Sequence, residues 1–309
     1  MSSRFIIPAL AALAGCAGSP EVSYIAGFAP PPPAAGYTRY VTPTIPQIDP
    51  GGDVMFCEWV AAPADVDRQI VDTKGFQSQG GHHVALYATT EIEDVGTSRP
   101  CTTRDMLTVS FVGAVGLEGV STVALPDGMA FDVPEGHALM TNTHYINATD
   151  SPIEGQSVVD VKFADPKQPL QGAGSIAVNH DMFSIPAGGT YTSDGYCQAK
   201  SQLSLFMWAN HMHEWGSHAF SEVIRADGTK VLLAQDDQWS KDKTFDPPWT
   251  RWDTSQPFVV NAGDTFHVQC TWDNTTSDAL TFPTEMCVAT GFTLEDMPQV
   301  ICEASPTMP

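Results

Sequence analysis

Histidines are grouped along this chain in a way that suits metal binding. His211 and His213 are separated by one residue. Side chains two positions apart in a strand point to the same face, so both imidazoles can bind one ion. His82 and His83 are adjacent and would point to opposite faces of a regular strand. They can share an ion only where the backbone is irregular, which the preceding Gly80-Gly81 pair allows.

The histidines alone do not select the metal. Imidazole binds Zn, Cu, Ni and Fe. A thioether would favour Cu(I), and the chain has 11 methionines, most of which we expect to fill the core.

His144, late in a predicted strand, is a further candidate ligand. A histidine in a strand is also often a hydrogen-bonded core or surface residue, so an exported β module that binds a partner is an alternative. The remaining histidines are interpreted as structural or surface residues: His137, His180, His218 and His267.

Short strands must position these side chains. Runs of alternating or β-branched residues recur between turn signals, and no long stretch has the 3.6-residue period of a helix. The sequence therefore predicts an all-β protein built from β-sandwiches. The predicted strands are Val54–Val60, Val84–Ala88, Thr108–Val112, Ala138–Tyr145, Ser157–Phe163, Gln202–Trp208, Phe220–Arg225, Lys230–Ala234, Phe258–Val260, Thr265–Trp272 and Met286–Thr293.

Length and composition agree with this class. The 309 residues fit two domains better than one, and the Pro-containing segment 165–169 is the best candidate boundary. We therefore expect an N-terminal domain over residues 45–166 and a C-terminal domain over 167–309. The 14 basic and 36 acidic residues give a net charge of −22. This balance excludes nucleic acid and argues against an anionic membrane surface as partners, because binding phosphate needs clustered Lys and Arg.

The N-terminus has the features of an export signal. Residues 1–15 contain Arg4 followed by a short apolar run, as in a signal peptide. Leu13-Ala14-Gly15-Cys16 resembles a bacterial lipobox, in which the cysteine is lipidated; the alternative is an ordinary signal peptide with a chance cysteine. Residues 16–44 are interpreted as the lipidated Cys16 and a Pro-rich tether. The prediction is a bacterial lipoprotein, anchored in the outer membrane only through its lipid and lying in the periplasm or at the cell surface.

Six cysteines remain after Cys16, none in a Cys-x-x-Cys pair. An even number in an exported chain predicts three disulfides, but the sequence alone does not choose among the pairings.

An ordered set of motifs resembles one family. The motifs are His82-His83, His144-Tyr145, His211-Met212-His213 and Glu285-Met286-Cys287. They resemble the copper type II, ascorbate-dependent monooxygenases, which include peptidylglycine α-hydroxylating monooxygenase and dopamine β-monooxygenase. The resemblance covers about residues 45–302. It implies two copper ions per chain, one held by His82, His83 and His144 and the other by His211, His213 and Met286.

The resemblance also implies a fold and a disulfide pairing. The family fold is two tandem jelly-roll-type β-sandwich domains with three disulfides. The implied pairs are Cys57–Cys101, Cys197–Cys302 and Cys270–Cys287.

The reaction that the resemblance implies inserts one atom of O₂ into a C–H bond of a small organic substrate, with two electrons from ascorbate. His211, His213 and Met286 would be the catalytic residues, because they hold the copper at which O₂ reacts and a thioether favours Cu(I). The first-domain copper would store and deliver an electron, and the substrate would lie between the domains. A non-catalytic, surface copper-binding lipoprotein is the alternative function.

The sequence departs from the peptide-amidating members at three positions. Ala209 replaces an Arg that binds the peptide carboxylate, Thr290 replaces a Tyr, and Val288 replaces an Asn. Without the cationic group, and with a chain this acidic, we expect a neutral or cationic substrate rather than an anionic one.

Overall fold

The computed structural model of the protein describes residues 23–62, 69–115, 125–168, 170–244, 247–282, 284–297 and 299–308. Their regular secondary structure is almost entirely β-strand, which confirms the predicted fold class of two tandem β-sandwich domains. Their helices are short: α1 (Thr103–Leu107) and a 3-10 helix (Lys241–Thr244). None of the described helices has the length and apolar character needed to span a membrane. The predicted signal peptide and Cys16 lie outside the described residues.

The strands of the first domain are β1 (Thr38–Val41), β2 (Ile45–Ile48), β3 (Asp53–Val60), β4 (Gln69–Gln77), β5 (Gly81–Thr89), β6 (Ser98–Pro100), β7 (Val109–Val115), β8 (Met129–Asp132), β9 (Ala138–Ile146), β10 (Ile153–Gly155) and β11 (Ser157–Phe163). They form two sheets, with strand orders β1-β11-β4-β8 and β6-β3-β9-β5-β7, and a two-stranded ribbon, β10-β2. A short strand of the second domain, β12 (Gln171–Gly172), extends the first sheet beside β8.

The second domain repeats this arrangement. Its strands follow β12 (Gln171–Gly172) and are β13 (Gly174–His180), β14 (Thr190–Gln198), β15 (Leu203–His211), β16 (Gly216–Ile224), β17 (Lys230–Asp236), β18 (Thr250–Arg251), β19 (Phe258–Val260), β20 (Thr265–Asp273), β21 (Cys287–Thr293) and β22 (Val300–Glu303). The order β14-β20-β16-β17 matches β3-β9-β5-β7 of the first domain, and β13-β21-β15-β19 matches β1-β11-β4-β8. The sequence shows no repeat of fixed period, so the similarity is one of topology.

The same turn follows the matching strands β9 and β20. Asn147 and Asn274 each accept from the backbone N–H and the hydroxyl of a threonine two residues later, at 2.9 and 2.7 Å in both domains. Both asparagines are buried. Both also begin Asn-x-Thr glycosylation sequons, and here their amides serve as turn-forming groups.

Alternating side chains build the core of the second domain. In β20, the inward side chains of Phe266, Val268, Cys270 and Trp272 join the core cluster, whereas the alternate residues lie on the opposite face of the sheet. Strand β15 differs, because one of its faces meets the first domain. A register shift between Leu205 and Met207 lets Leu205 enter the core of its own domain while Met207 faces the first.

An apolar interface joins the two domains. The ring centroids of Phe131, in β8, and Phe292, in β21, are 5.2 Å apart, and those of Phe111 and Phe292 are 5.7 Å apart. Hydrogen bonds also cross the interface: β12 pairs in parallel with β8, and the Phe111 N–H donates to Gln299 Oε1 at 2.8 Å. The interface therefore fixes one domain against the other.

The three disulfides form the pairs that the family resemblance implies: Cys57–Cys101, Cys197–Cys302 and Cys270–Cys287. Cys57–Cys101 joins β3 to the residue that follows β6, whereas the other two pairs each join strands from the two sheets of the second domain. Disulfides of this kind form in oxidising compartments, so they indicate an extracytoplasmic protein.

One buried carboxyl in the first domain lacks a full set of partners. Glu58, in β3, is only 8% exposed, and its Oε2 has no hydrogen-bond partner in the described part of the chain. Glu58 and Val60 are two residues apart in β3, so their side chains lie on the same face of the strand. Val60 packs between the two sheets on that face. Burial raises the pKa of Glu58 to about 7, because the charged form loses its hydration.

We therefore expect Glu58→Gln to stabilise the metal-free protein at alkaline pH. The folded protein keeps this proton to higher pH than the unfolded chain, so wild-type stability falls as pH rises from about 4.5 to about 7. The expected gain is on the order of 2 kcal/mol at about pH 8 and close to zero at about pH 4, where both states are protonated. Urea unfolding at the two pH values measures it, with the exposed Glu135→Gln as control. An equal gain at both would contradict this account.

Candidate metal centre

The first-domain histidines converge because the backbone is irregular where the sequence allows it. Gly80 adopts a left-handed φ of 79°, a conformation natural to glycine. The register of β5 against β9 then shifts between Gly81 and His83, which leaves His82 as an extra residue opposite His144. This bulge turns two adjacent histidines toward the same partner.

The three imidazoles lie close enough together that they could hold one metal ion. His82, His83 and His144 each have one ring nitrogen that can bind a metal, and these three nitrogens lie within 4.8 Å of one another. The Nδ1 atoms of His82 and His144 are 2.9 Å apart, close to the spacing of about 3 Å between two nitrogens on one tetrahedral ion. The structure therefore brings together all three residues proposed for the first copper.

Hydrogen bonds from neighbouring strands orient two of these rings. His144 Nε2 is 2.6 Å from Asp53 Oδ1, and this hydrogen bond lowers the pKa of the Asp53 carboxyl. His83 Nε2 is 3.0 Å from Asn142 Oδ1, and the Asn142 amide donates on its other side to the Cys101 sulfur at 3.2 Å. Both histidines thus donate from Nε2, which leaves Nδ1 to bind a metal.

The electrostatics favour neutral imidazoles. Burial, and then the nearby His144 and His83, lower the pKa of His82 to about 2. Burial and His144 lower the pKa of His83 to about 3. A metal binds the neutral imidazole, so these side chains are already in the competent form at physiological pH.

The second set lies at the end of β15 and in the turn that follows. The ring centroids of His211 and His213 are 5.2 Å apart. Burial, and then His213, lower the pKa of His211 to about 3, and burial also lowers the pKa of His213. Met286 is half-buried in the segment before β21. His211 pairs with Val288, two residues after Met286, so the end of β15 lies beside the segment that carries Met286.

His213 is held by the residues that precede Met286. Its Nδ1 is 3.0 Å from the Thr284 carbonyl oxygen, to which it donates, so Nε2 is left as the metal-binding nitrogen. Its backbone N–H donates to Glu285 Oε2 at 3.1 Å. The segment 284–286 therefore positions the imidazole and carries the thioether at the same time.

The two ligand sets meet across the domain interface. The rings of His82 and His213 are edge to face, with centroids 6.4 Å apart. Positive charges on the two imidazoles would repel each other, and this repulsion contributes to the lowered pKa of His82. Both sets therefore belong to one continuous region of the protein.

The remaining histidines make other contacts. His180 is fully buried, with Nε2 2.7 Å from the Ser193 hydroxyl oxygen. His267 lies between Asp194 and Glu222, 2.8 Å from each. Since its two nitrogens face opposite carboxylates, these three residues do not converge on one ion. His218 is 3.6 Å from Asp237.

The donor set fits copper. Three neutral imidazoles suit an ion that changes oxidation state without large rearrangement, and two imidazoles with a thioether suit Cu(I). The oriented rings leave one nitrogen each for the metal. The orienting residues Asp53, Asn142 and Thr284 were not identified from the sequence, since no local motif marks a residue that contacts a ligand only through strand pairing.

Comparison with known proteins adds to this geometry. No curated protein matches the chain. Among solved structures, the glycosylasparaginase PNGase F from Flavobacterium meningosepticum is 11% identical with a TM-score of 0.35, covering 87% of this chain and 97% of that one. A recombinant N-glycanase F is 10% identical with a TM-score of 0.37, covering 85% and 97%. Similarity at this level carries no argument about function.

Residues 173–305, which include His211, His213 and Met286, match the C-terminal domain of the copper type II ascorbate-dependent monooxygenases.

Proposed function

We propose that the protein is an ascorbate-dependent dicopper monooxygenase that hydroxylates a C–H bond of a small organic substrate. The observation that carries the proposal is the meeting of a three-histidine set in the first domain with a His-x-His set in the second, where residues 173–305 match the C-terminal domain of this family. In the overall reaction, substrate, O₂, two electrons and two protons give the alcohol and water. Ascorbate supplies the two electrons.

The two ligand sets have different tasks in this proposal. His82, His83 and His144 would hold an ion with three imidazoles, two of them oriented by hydrogen bonds, so this set suits electron storage. His211, His213 and Met286 offer two imidazoles and a soft thioether, and three ligands leave room for a small molecule. Copper bound at these sets would supply one-electron redox chemistry with O₂. The protein positions the ligands, keeps them neutral and holds the two sets at a fixed separation.

The substrate class follows from two cross-strand neighbours. Ala209 and Thr290 face each other in the β15–β21 register. Ala209 is fully buried, and the Thr290 hydroxyl donates to the Ile176 carbonyl oxygen at 3.2 Å. Neither offers a cation to a carboxylate, and the chain carries a net charge of −22. The proposal is therefore a neutral or cationic substrate.

Copper loading and oxygen consumption test the proposed function. We expect two copper ions per chain by elemental analysis of the dialysed protein, and O₂ uptake with ascorbate that increases when a substrate is added. Amines, fatty-acid derivatives and peptides form the screen. Two coppers with no hydroxylated product from any of them would favour the non-catalytic copper-binding alternative. Protein that takes up no copper would contradict both.

The location belongs to the same proposal. Lipidation of Cys16 would attach the chain to a membrane, with the domains in the periplasm or at the cell surface. The start of the described chain contacts the first domain: the Ile25 N–H donates to Gln156 Oε1 at 3.0 Å, and Arg39 donates to the Tyr24 hydroxyl at 3.1 Å. Fatty-acid labelling that is lost in Cys16→Ser would support the anchor, and labelling that persists would contradict it.

A further inference from the structure

Glu285 is a fully buried carboxylate beside the second ligand set. Its Oε2 accepts from the His213 backbone N–H at 3.1 Å and from Trp272 Nε1 at 2.9 Å. Its Oε1 accepts from the Trp215 backbone N–H at 2.8 Å. The Met286 backbone N–H is a further partner. One side chain therefore binds the backbones of two proposed copper ligands.

We propose that Glu285 is the positioning residue that assembles the second copper site, by holding His213 and Met286 in one geometry. This inference rests on the proposed function, in which His211, His213 and Met286 hold copper. Glu285 acts through the ligands and does not itself bind the ion.

The chemistry of the partners calls for a carboxylate. All four partners are N–H donors, and an ionised carboxylate has two oxygens that accept and no group that donates. Glutamine has the same shape but only one accepting oxygen, and its NH₂ group would face N–H donors. Glu285→Gln therefore leaves buried donors without acceptors and brings donors together, with almost no change in volume.

The contacts of Glu285 join three separate elements. His213 and Trp215 lie in the turn between β15 and β16, whereas Trp272 lies in β20. Glu285 itself precedes β21, and the neighbouring Cys287 is bonded to Cys270 of β20. The carboxylate thus ties the turn that carries His213 to the segment that carries Met286, and the disulfide and the indole fix that segment to the core.

The rest of the turn is anchored independently, so the role of Glu285 can be separated from folding. Trp239 Nε1 donates to the His213 carbonyl oxygen at 3.0 Å, and the Thr244 hydroxyl donates to the Met212 carbonyl oxygen at 3.0 Å. These bonds keep the chain path of the turn. Glu285 adds the hydrogen bonds that fix the position of this turn relative to Met286.

The first ligand set provides an internal control. Its rings are oriented by Asp53 and Asn142, and Glu285 contacts none of its members by a hydrogen bond in the described residues. A change at Glu285 should therefore alter one copper site and leave the other as it is.

The test is Cu(I) titration of the full chain against a chromophoric chelator, with X-ray absorption to detect the copper–sulfur bond. All measurements are made at one pH, about 8. For Glu285→Gln we expect the second copper to bind 10- to 100-fold more weakly, as is usual when a group that orients a ligand is removed. The sulfur contribution should fall, while the first copper keeps its affinity. The matched control is Glu58→Gln, another buried glutamate, which should leave both sites unchanged.

Wild-type affinity for both coppers in Glu285→Gln, with the sulfur contribution retained, would overturn the inference and leave the proposed function standing. Equal weakening of both sites would also overturn it, because it would indicate general loosening of the fold. Wild-type protein that binds no second copper would overturn the proposed function and this inference together. If Glu285→Gln does not fold, Glu285→Asp keeps the accepting oxygens on a shorter side chain; the same selective weakening is expected, and unchanged binding at both sites would overturn the inference.

Discussion

Met286→Ala is expected to abolish substrate hydroxylation while leaving the fold and the first copper site intact. The substitution removes the one soft ligand of the second set and leaves His211 and His213 as two imidazoles. A thioether stabilises Cu(I), and reaction with O₂ begins from the reduced metal. We expect the rate of product formation to fall at least 100-fold, and the second Cu(I) to bind at least 10-fold more weakly, on the order of the losses caused by disturbing a metal site.

The fold should tolerate this change because Met286 is only half-buried. The neighbouring Glu285 and Cys287 keep their own anchors in β20. Product formation is measured at saturating ascorbate, and far-UV circular dichroism and the unfolding midpoint report the fold. Met182→Ala, at a methionine that is 55% exposed, is the matched control and should behave as wild type.

Two results would contradict this account. If Met286→Ala keeps the wild-type rate, the thioether is not a functional ligand. If it loses both coppers, the two sets depend on each other more closely than the separate anchoring of His144 and His213 implies. Loss of product with O₂ consumption maintained would mean that O₂ reduction is uncoupled from hydroxylation, and would still place Met286 in the catalytic site.

The strands that the sequence predicted are those with a clear apolar face. Ser157–Phe163 and Phe258–Val260 were predicted with the bounds that the structure shows. Strands β4 and β14 were missed, because polar side chains occupy much of each and Gly75 and Gly195 interrupt the pattern. Strand β4 is held by pairing with β11 and β8, and the edge strand β14 by pairing along its whole length with β20. A local sequence pattern does not contain these pairings.

The ligand residues could be named from the sequence because they lie in short motifs, and the irregular backbone at His82 could be expected from Gly80-Gly81. Their orienting partners could not. Asp53 reaches His144 because β3 pairs with β9, and this pairing joins residues 91 positions apart. Only the folded topology brings such residues together.

The contact between His82 and His213 also needed the structure. Phe131 lies in β8 and Phe292 in β21, and together they form part of the interface that sets the separation of the two ligand sets. The sequence predicted two sites and a substrate between them. It could not indicate that two of the ligand rings face each other with centroids 6.4 Å apart.

Removing each of the two disulfides of the second domain is expected to have different effects on stability and on copper binding. The disulfide whose removal costs more stability should be the one whose removal weakens copper binding less. Cys197–Cys302 spans 105 residues and Cys270–Cys287 spans 17. A cross-link restricts the unfolded chain more when its loop is longer, so removing the first should cost about 4.7 kcal/mol and the second about 3 kcal/mol of unfolding free energy. Replacing both cysteines of a pair by serine avoids a free thiol.

Copper binding should follow the opposite order, because it depends on what each disulfide touches. Cys287 directly follows Met286, and Cys270 is in β20 with Trp272, which donates to Glu285. Cys197–Cys302 joins β14 to β22, strands that carry none of the proposed ligands. The less destabilising replacement, Cys270→Ser with Cys287→Ser, should therefore weaken the second copper site more. Urea unfolding and Cu(I) titration of the two double variants measure both orders. If copper affinity simply follows stability, the second site is maintained by the domain as a whole and the local anchoring of segment 284–287 does not determine it.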